Sequence, residues 1–486
     1  MKHFANNPYH YLVSVLLALA ASAAAGLAQE SSTDGPDLPL LGKIKARSAK
    51  EISSSSWSIG GETLDRDFAL YTHYKKYLGP LGAKAIRLQG GWARCEKTPG
   101  VYSWAWLDKI VNDALAQGVQ PWIETSYGNP IYPDGGGTGL GGGMPKSPES
   151  LAAWDNWVRA LVRRYRDRVH EWEIWNEPDI SKTNTPDEYA GLFLRTAAII
   201  RAEQPQARIY ALALAGNFSF AETFLKRVQE TGKVDLMDAV TIHGYPKNPD
   251  DTSNVDKMRK LLAKYAPAAT ARQGETGAPS GKTVGALRDV PWTEVKQAKW
   301  DLRRMLAHHG KDVPFNLFTL CELKYSQPNM SGFNRKGLLR CNDDLTVAGP
   351  KPAYFAAQRV FSIFDDTLVR IRDFKFTTPS DEKIAVFAYR KKGGSRPPGA
   401  MIVTIWLSGA PPTDSNKTTP VEFTFPGAKF TEPVYADLVT GKVHEFPRDR
   451  WSANGGSVTF KQMPICDSPV LIAEKTALRL VPKETR

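Results

Sequence analysis

The sequence predicts an α/β protein, a closed (β/α)8 barrel (TIM barrel) followed by an antiparallel β-sandwich domain. Short apolar segments alternate with helical segments eight times between residues 50 and 360, the pattern of parallel strands joined by helices. After residue 366 the helices stop, and short strands separated by Gly, Pro, Asn and Asp follow. The 486 residues, 42% of them hydrophobic, are too many for one average domain and ample for a large core.

Four segments are expected along the chain. Residues 1–28 have the pattern of a signal peptide, because Lys2 precedes an apolar run at 11–25 and small residues stand before the expected cleavage point. The other segments are a tail at 29–48 with a candidate sandwich strand, the barrel at 49–366 and the sandwich at 367–486. The apolar run is too short for a stable membrane anchor. We therefore expect a periplasmic or secreted protein that has no membrane attachment after cleavage.

The eight barrel strands are predicted where short apolar segments end at Gly, Pro or polar residues. These segments are 56–59, 85–88, 121–124, 171–176, 208–215, 239–243, 269–274 and 315–320. Helical apolar spacing over 106–117 stops at Gly118, and a second helix is expected at 149–168. An open doubly wound sheet is the competing fold, but Gly60-Gly61-Glu62 does not match the Gly-x-Gly-x-x-Gly phosphate loop of such sheets.

The second domain is predicted from a change of period after a helix at 352–364. Its strands are expected at 368–376, 383–390, 400–407, 421–425, 434–438 and 457–460, with a further candidate at 42–52. We expect this domain to pack against the barrel as a structural accessory, and carbohydrate binding is the alternative role.

Charge narrows the classes of partner. The formal net charge is +12, and removal of the signal peptide lowers it by one because that segment contains Lys2 and no acidic residue. This charge favours an acidic glycan through long-range attraction, while a solvated basic surface without partner preference is the simpler interpretation. Nucleic acid is not expected, because no Lys/Arg run is interleaved with aromatic residues. The oligomeric state stays open.

The four cysteines match no metal-binding spacing and permit two disulfides in three pairings. Cys321 and Cys341 bracket a loop rich in Asn, Gly and Ser, and a bridge there would stabilise the protein by about 3 kcal/mol. This pairing is favoured and the others stay open. No metal or other cofactor is expected, because the sequence offers no dedicated metal cluster and no phosphate loop.

Two glutamates stand at the ends of predicted strands. Residues 171–179, Glu-Trp-Glu-Ile-Trp-Asn-Glu-Pro-Asp, form a strand that Asn176 and Pro178 end, which leaves Glu177 at the rim of the barrel. Glu275, in Arg-Gln-Gly-Glu-Thr-Gly, follows the seventh strand three units later. Reactive groups of such barrels project from the carboxyl ends of different strands. Two carboxylates are also what the cleavage of a glycosidic bond requires.

These motifs resemble those of the retaining glycoside hydrolases of clan A, and the barrel is closest in appearance to glycoside hydrolase family 39. The resemblance implies that Glu177 is the general acid/base and Glu275 the nucleophile. It also implies that Asn176 holds the sugar 2-hydroxyl and that Tyr245 bonds to the nucleophile. Many clan A enzymes carry a tryptophan after the eighth strand, and Phe318-Thr-Leu-Cys-Glu-Leu has none. That departure leaves the substrate open.

Further candidates stand at other strand ends. Arg87 is expected to hold Glu275 ionised, and His243 to orient neighbouring groups rather than act as a base. The aromatic candidates for stacking on sugar rings are Trp92, Tyr127 and Trp175. The polar candidates are Gln89 and Asn129, with Glu62, Glu96 and Glu124 as further groups for binding hydroxyls. Glu173 is expected to pair inside the barrel.

The leading hypothesis is an exported retaining O-glycosidase that acts on a polysaccharide or oligosaccharide by double displacement. Glu275 should then be ionised and Glu177 protonated, with its pKa raised by a partly apolar site and a neighbouring negative charge. A carbohydrate-binding barrel without catalysis and a transglycosylase on the same scaffold are the alternatives. Sugar identity, anomer, linkage and exo or endo action stay open.

Overall fold

Eight parallel strands close into a barrel in the computed structural model, which describes residues 36–327, 330–393 and 399–483. In chain order these strands are Trp57–Gly60, Ala85–Gln89, Gln120–Thr125, Glu171–Ile174, Arg208–Leu214, Ala239–His243, Thr270–Thr276 and Phe315–Leu317. The eighth strand pairs with the first and closes the barrel. The predicted (β/α)8 barrel is therefore confirmed. The predicted signal peptide, residues 1–28, lies outside the described residues.

Helices surround the barrel and follow its strands. They are Tyr71–Tyr74, Leu78–Leu81, Trp92–Cys95, Ala105–Ala116, Pro148–Tyr165, Pro186–Glu203, Phe218–Glu230, Ser253–Tyr265, Glu294–His309 and Pro352–Ile363. Helix Pro186–Glu203 begins with a capping box, because Thr185 and Glu188 each accept a hydrogen bond from the other's backbone N–H. Among the residues that the structure describes, no helix is long and apolar enough to cross a membrane.

Antiparallel sheets form the second domain. The larger sheet has the spatial order Leu368–Ile371, Ile384–Lys391, Met401–Leu407, Val470–Glu474, Pro433–Asp437, Lys442–Glu445, Leu40–Ile44 and Leu480–Pro482. The smaller sheet has the order Thr419–Pro426, Ser457–Ile465 and Trp451–Asn454. An apolar cluster that includes Ile405, Phe423 and Phe460 lies between the two sheets. The strand expected at 42–52 runs instead from Leu40 to Ile44.

The second domain contacts the barrel through hydrogen bonds and ion pairs. Asp250 accepts hydrogen bonds from Trp406 Nε1 at 2.9 Å and from the backbone N–H of Gly409 at 3.0 Å. Lys299, on helix Glu294–His309, pairs with Asp467 at 2.7 Å. Residues 37–486 form one compact unit, so this domain and the barrel constitute a single body.

Two hairpins follow the eighth barrel strand. Leu323–Gln327 pairs with Met330–Asn334, and Leu339–Cys341 pairs with Val347–Pro350. The Sγ atoms of Cys321 and Cys341 lie 2.8 Å apart at the base of this segment. All four cysteines are free thiols in the structure, so the disulfide favoured by the sequence stays a prediction.

Candidate active site

The Asn-Glu-Pro turn positions Glu177 at the carboxyl end of the fourth strand. Trp175 and Glu177 adopt left-handed backbone conformations, with φ of 65° and 48°, which residues with side chains rarely take. The backbone N–H of Glu177 donates to the carbonyl of Ala213 at 3.1 Å and ties the turn to the fifth strand. Backbone strain of this kind is concentrated at functional sites.

Glu275 faces Glu177 from the seventh strand, where the pairing with the sixth strand shifts register between Gln273 and Glu275. The side chains of Glu177 and Glu275 are 12% and 13% exposed, so both can be reached from solvent. One carboxylate oxygen of each and a ring nitrogen of His243 lie within 4.8 Å of one another. The structure therefore brings together the two glutamates that the sequence singled out.

Arg87 organises the polar interior of the barrel, because each of its five N–H groups has an acceptor. The acceptors are Glu173 on Nε (2.6 Å), Glu62 and Glu275 on Nη1 (3.0 and 3.1 Å), and Asn176 (2.9 Å) and Glu124 on Nη2. The side chain is fully buried. Burial opposes its charge, but the carboxylates of Glu173 and Glu124 above all hold the pKa of Arg87 well above its usual range.

Glu177 and Glu275, which are both partly buried, have different environments. Burial raises the pKa of Glu177 to about 8, with a contribution from the charge of Asp179 and against the attraction of Arg87. Its Oε1 lies 2.8 Å from Nδ1 of His243, and burial lowers the pKa of His243 to about 4, so this histidine is neutral near pH 7. Glu275 instead accepts hydrogen bonds from Arg87 and from the hydroxyl of Tyr245.

A chain of hydrogen bonds fixes the orientation of Asn176. Its Oδ1 accepts from Arg87 at 2.9 Å, and its Nδ2 donates to the hydroxyl oxygen of Tyr127 at 2.8 Å. Gln89 Nε2 donates to the same hydroxyl at 3.4 Å, while Gln89 Oε1 accepts from Nη2 of Arg66. The predicted residues Gln89 and Tyr127 thus hold Asn176 in place.

The prediction that three aromatic side chains present stacking faces to a sugar is wrong. Trp92, Tyr127 and Trp175 are at most 2% exposed. Trp92 stacks on Tyr132, with ring centroids 5.7 Å apart, and Trp175 packs on Trp154 at 5.8 Å. These rings belong to an aromatic core beside the barrel. Tyr127 contributes its hydroxyl to the site rather than its ring face.

Several polar predictions are also corrected by burial. Asn129 is 1% exposed, and its Nδ2 donates to the carbonyl of Glu96 at 2.9 Å, so it holds a loop rather than substrate. Glu62, Glu96 and Glu124 are each at most 2% exposed and cannot reach sugar hydroxyls. Glu62 and Glu124 bind Arg87 instead, while Glu173 pairs inside the barrel as expected.

Sequence reasoning missed two neighbours of Tyr245. Phe318 follows the eighth strand directly and meets the ring of Tyr245 edge-on, with centroids 6.3 Å apart. The position of Phe318 could have indicated a role in the site, because many clan A enzymes carry a tryptophan after the eighth strand. Lys336 Nζ lies 5.1 Å from the centroid of the same ring, and burial lowers the pKa of Lys336 to about 8. Nothing in the sequence indicated Lys336, since the hairpins bring it there.

The cluster of Glu177, His243 and Glu275 is also the one group of potential metal ligands found among the described residues. A neutral Glu177 disfavours a cation at this point, because metal ligation requires deprotonated carboxylates. A cavity of about 470 Å³ opens at the opposite end of the barrel, and neither Glu177 nor Glu275 lines it. The candidate active site is therefore the pair of glutamates at the carboxyl end of the strands.

Residues 93–273 match the family described as Glycosyl hydrolases family 39. The resemblance to family 39 is confirmed. The matched segment includes Glu177 and stops two residues before Glu275. The assignment of Glu275 therefore depends on the geometry of the site and on its own motif.

Two curated relatives are similar over part of the chain. A beta-xylosidase of Geobacillus stearothermophilus is 26% identical over 126 residues, 24% of this chain and 25% of the relative. A 6-phospho-beta-glucosidase of Clostridium longisporum is 23% identical over 198 residues, 39% of this chain and 40% of the relative. The matches thus span less than half the length of either relative.

Solved structures extend the likeness to both domains. A family 39 glycoside hydrolase from Bacteroides cellulosilyticus WH2 aligns with a TM-score of 0.61 and 19% identity, over 86% of this chain and 81% of its own. A monomeric beta-xylosidase from Caulobacter crescentus CB15 aligns with a TM-score of 0.58 and 17% identity, over 90% and 97%. At these identities the likeness shows the shared fold.

Proposed function

We propose that the protein is a retaining glycoside hydrolase that cleaves O-glycosidic bonds in an oligosaccharide or polysaccharide. The arrangement of Glu177 and Glu275 carries this proposal, since carboxylate oxygens of the two lie within 4.8 Å at the ends of strands four and seven. Retaining enzymes hold their carboxyl groups about 5 to 5.5 Å apart, whereas inverting enzymes need a wider gap for water. The family 39 match supports the same class of reaction.

The environments of the two groups fit a double displacement. Glu177, protonated at neutral pH, gives its proton to the departing oxygen, while Glu275 attacks the anomeric carbon and forms a glycosyl ester. The bond to the leaving group breaks in this step. Glu177, now ionised, then takes a proton from water, which attacks the anomeric carbon and frees Glu275. Asn176 is oriented to bind the 2-hydroxyl, a contact that strengthens in the transition state.

Replacement of each glutamate by alanine tests the assigned roles. Glu275→Ala removes the attacking group, so turnover should fall by several orders of magnitude, and azide should give a glycosyl azide of inverted configuration. Glu177→Ala removes only the proton donor and the later base. Nitrophenyl glycosides need little protonation, so this variant should still form the ester, and azide should speed its breakdown with retention.

Product configuration, read by NMR for the parent and both variants, decides the outcome. Inversion by the parent, or the same rescue product from both variants, would contradict the assignment. A parent that binds oligosaccharides without turnover would instead indicate the carbohydrate-binding alternative. Activity should persist after dialysis against EDTA, since the proposed reaction uses only side chains.

We propose further that the substrate carries carboxylate or sulfate groups. A cavity of about 190 Å³ lies beside Tyr127 and is lined by Arg66, Arg94 and Lys97, with Asp65 as its acidic residue. The side chain of Arg66 is 12% exposed, and its Nη1 has no hydrogen-bond partner among the described residues, so the guanidinium keeps a donor that is not used within the protein. The net positive charge of the chain acts in the same direction.

This preference is tested with matched neutral and uronic-acid or sulfated oligosaccharides at low and high salt. Arg66→Met should lower kcat/KM on acidic substrates about tenfold more than on neutral ones, because the loss on neutral ones comes only from the hydrogen bond to Gln89 that supports Asn176. Lys226→Met is the control, because it removes the same charge from an exposed position on an outer helix. Equal rates on both substrates, without salt dependence, would show that the positive charge belongs to a solvated surface and does not select substrates.

We also propose that the protein is exported and loses residues 1–28. The basis is the sequence pattern of that segment. Fractionation of expressing cells, followed by mass spectrometry of the intact product, checks it. A full-length chain in the cytoplasm would contradict export.

A further inference from the structure

Glu62 is a buried carboxyl group next to the proposed nucleophile, and the double displacement does not use it. Its Oε1 accepts a hydrogen bond from Arg87 Nη1 at 3.0 Å, while Oε2 of Glu275 accepts from the same nitrogen at 3.1 Å. Glu62 is 2% exposed, so it cannot touch a substrate. The two carboxyl groups therefore share one nitrogen of one buried cation.

Glu62 has a weaker second side-chain hydrogen bond than the other buried carboxyl groups on Arg87. Glu124 also accepts from the hydroxyl of Ser126, and Glu173 also accepts from the hydroxyl of Thr241. From other side chains, the second oxygen of Glu62 receives only a long contact of 3.4 Å, from the hydroxyl of Thr319. That hydroxyl lies closer to the carbonyl of Gly60, at 2.7 Å. Glu62 is thus the member of the cluster with the weakest second side-chain hydrogen bond.

We infer that Glu62 is a positioning residue that adjusts, through Arg87, the negative charge facing the anomeric carbon; this rests on the proposed glycosidase. When Glu62 is neutral, the charge of Nη1 acts mainly on Glu275. When Glu62 is ionised, it draws on the same nitrogen and leaves Glu275 more negative. The transition state has oxocarbenium character, so added negative charge in a site of low polarity stabilises it.

Ionisation of Glu62 should fall inside the working pH range. The charged and titratable groups that act on it or respond to it are Arg87, Glu275, Glu124, Tyr74 and Tyr325. Burial raises the pKa of Glu62 to about 7, Arg87 opposes the rise, and the charge of Glu275 adds to it. Glu177 keeps its proton to about pH 8. Between about pH 7 and pH 8, Glu62 has therefore released its proton to solvent while Glu177 is still protonated.

The substitution Glu62→Gln tests this inference, because glutamine keeps an oxygen acceptor for Arg87 and cannot ionise. The kcat/KM of a nitrophenyl glycoside is measured from pH 5 to pH 9 for parent and variant. We expect the two to agree within about twofold at pH 5.5, and the variant to be about five- to tenfold slower at pH 7.5. A merely structural defect would lower activity at both pH values.

Glu124→Gln is the matched control. It alters the same cluster at Nη2, which Glu275 does not share, and burial raises the pKa of Glu124 to about 8, above the interval from pH 5.5 to 7.5 over which the ratios are compared. Its ratio to the parent should be nearly constant from pH 5.5 to 7.5. A constant ratio for Glu62→Gln as well would overturn the inference. Should Glu62→Gln not fold, Glu62→Met, which also cannot ionise, should show the same loss at pH 7.5 relative to pH 5.5, and a constant ratio for this variant would likewise overturn the inference.

Infrared difference spectra separate this inference from the proposed function. The carbonyl band of a protonated carboxyl group, present in the parent and absent from Glu62→Gln, should disappear between about pH 6 and 8. A parent without glycosidase activity would refute the proposed function. The spectrum would still test whether Glu62 ionises beside Arg87. Loss of the band between about pH 6 and 8 supports the inference, and a band that persists or is absent throughout overturns it.

Discussion

Oxidation of Cys321 and Cys341 should fasten the segment that follows the eighth barrel strand. Both side chains are buried, 3% and 6% exposed, and their sulfur atoms are already in contact at 2.8 Å. The other cysteines bond elsewhere: the thiol of Cys95 donates to the carbonyl of Gly90, and that of Cys466 to the carbonyl of Ser468. Oxidised glutathione, as the electron acceptor, should therefore form one bridge between Cys321 and Cys341 and be reduced to two glutathione thiols, which take up the two protons.

The size of the effect follows from the enclosed loop. Closing a loop of about 20 residues removes about 11 cal/mol/K from the entropy of the unfolded chain, or about 3 kcal/mol at 25 °C. The compact unit of residues 37–486 has an unfolding entropy of about 0.9 kcal/mol/K, at about 2.1 cal/mol/K per residue. The bridge should then raise Tm by about 3 to 4 °C.

Calorimetry of the oxidised and reduced protein measures this difference, and alkylation with mass spectrometry counts the thiols. The parent should show two free thiols after oxidation. Cys341→Ser should lose the redox-dependent change in Tm, whereas Cys466→Ser should keep it, because Cys466 lies outside the bridge. Four free thiols after oxidation, or the same redox-dependent change in Cys341→Ser, would refute the reasoning.

Four further predictions concern the charges of the barrel interior. Arg87→Met should lower the free energy of unfolding by about 3–5 kcal/mol in urea titrations, because it leaves buried carboxyl groups without their cation. Where Arg87→Met stays folded, the acidic limb of kcat/KM should move to higher pH, and an unmoved limb would show that Arg87 does not set that limb. The alkaline limb should lie near pH 8, where Glu177 loses its proton, and Glu177→Gln should abolish that limb on nitrophenyl glycosides. From pH 6.5 to 8 stability should fall: the folded-state pKa of Glu124 and Glu177 is raised to about 8, so the folded state binds more protons than the unfolded one. Neutral His243 opposes this trend only below about pH 6.5, and a rise in unfolding free energy between pH 6.5 and 8 would contradict the prediction.

The barrel strands were predictable because each is an apolar segment bounded by residues that end strands. Trp172 and Ile174 mark the fourth strand, and Asn176 and Pro178 end it. The pair of glutamates followed from the same regularity, since a barrel brings the ends of strands four and seven to one rim. Strand positions can therefore be read from the sequence, because apolar segments and the residues that end them are visible in it.

Exposure was not predictable in the same way. Trp92 and Trp175 look like platforms for sugar rings in the sequence, yet both are buried. The burial of Trp175 goes with its left-handed backbone, and residue type alone does not specify that conformation. Arg87 was expected beside Glu275, but its contacts with three more glutamates depend on the closure of the barrel. The environment of a side chain depends on its neighbours in the folded protein, and the pattern of strands does not predict which residues these are.

Strand Leu40–Ile44 has a mechanical consequence. It pairs antiparallel with Leu480–Pro482, with Gly42 opposite Pro482 and Ile44 opposite Leu480. The two strands therefore begin and finish at the same end of their ladder. Tension applied between residues 40 and 482 would load the hydrogen bonds one after another, an unzipping geometry, rather than all together in shear. In an optical trap the sheet should peel open at low force before any strand of the barrel is strained.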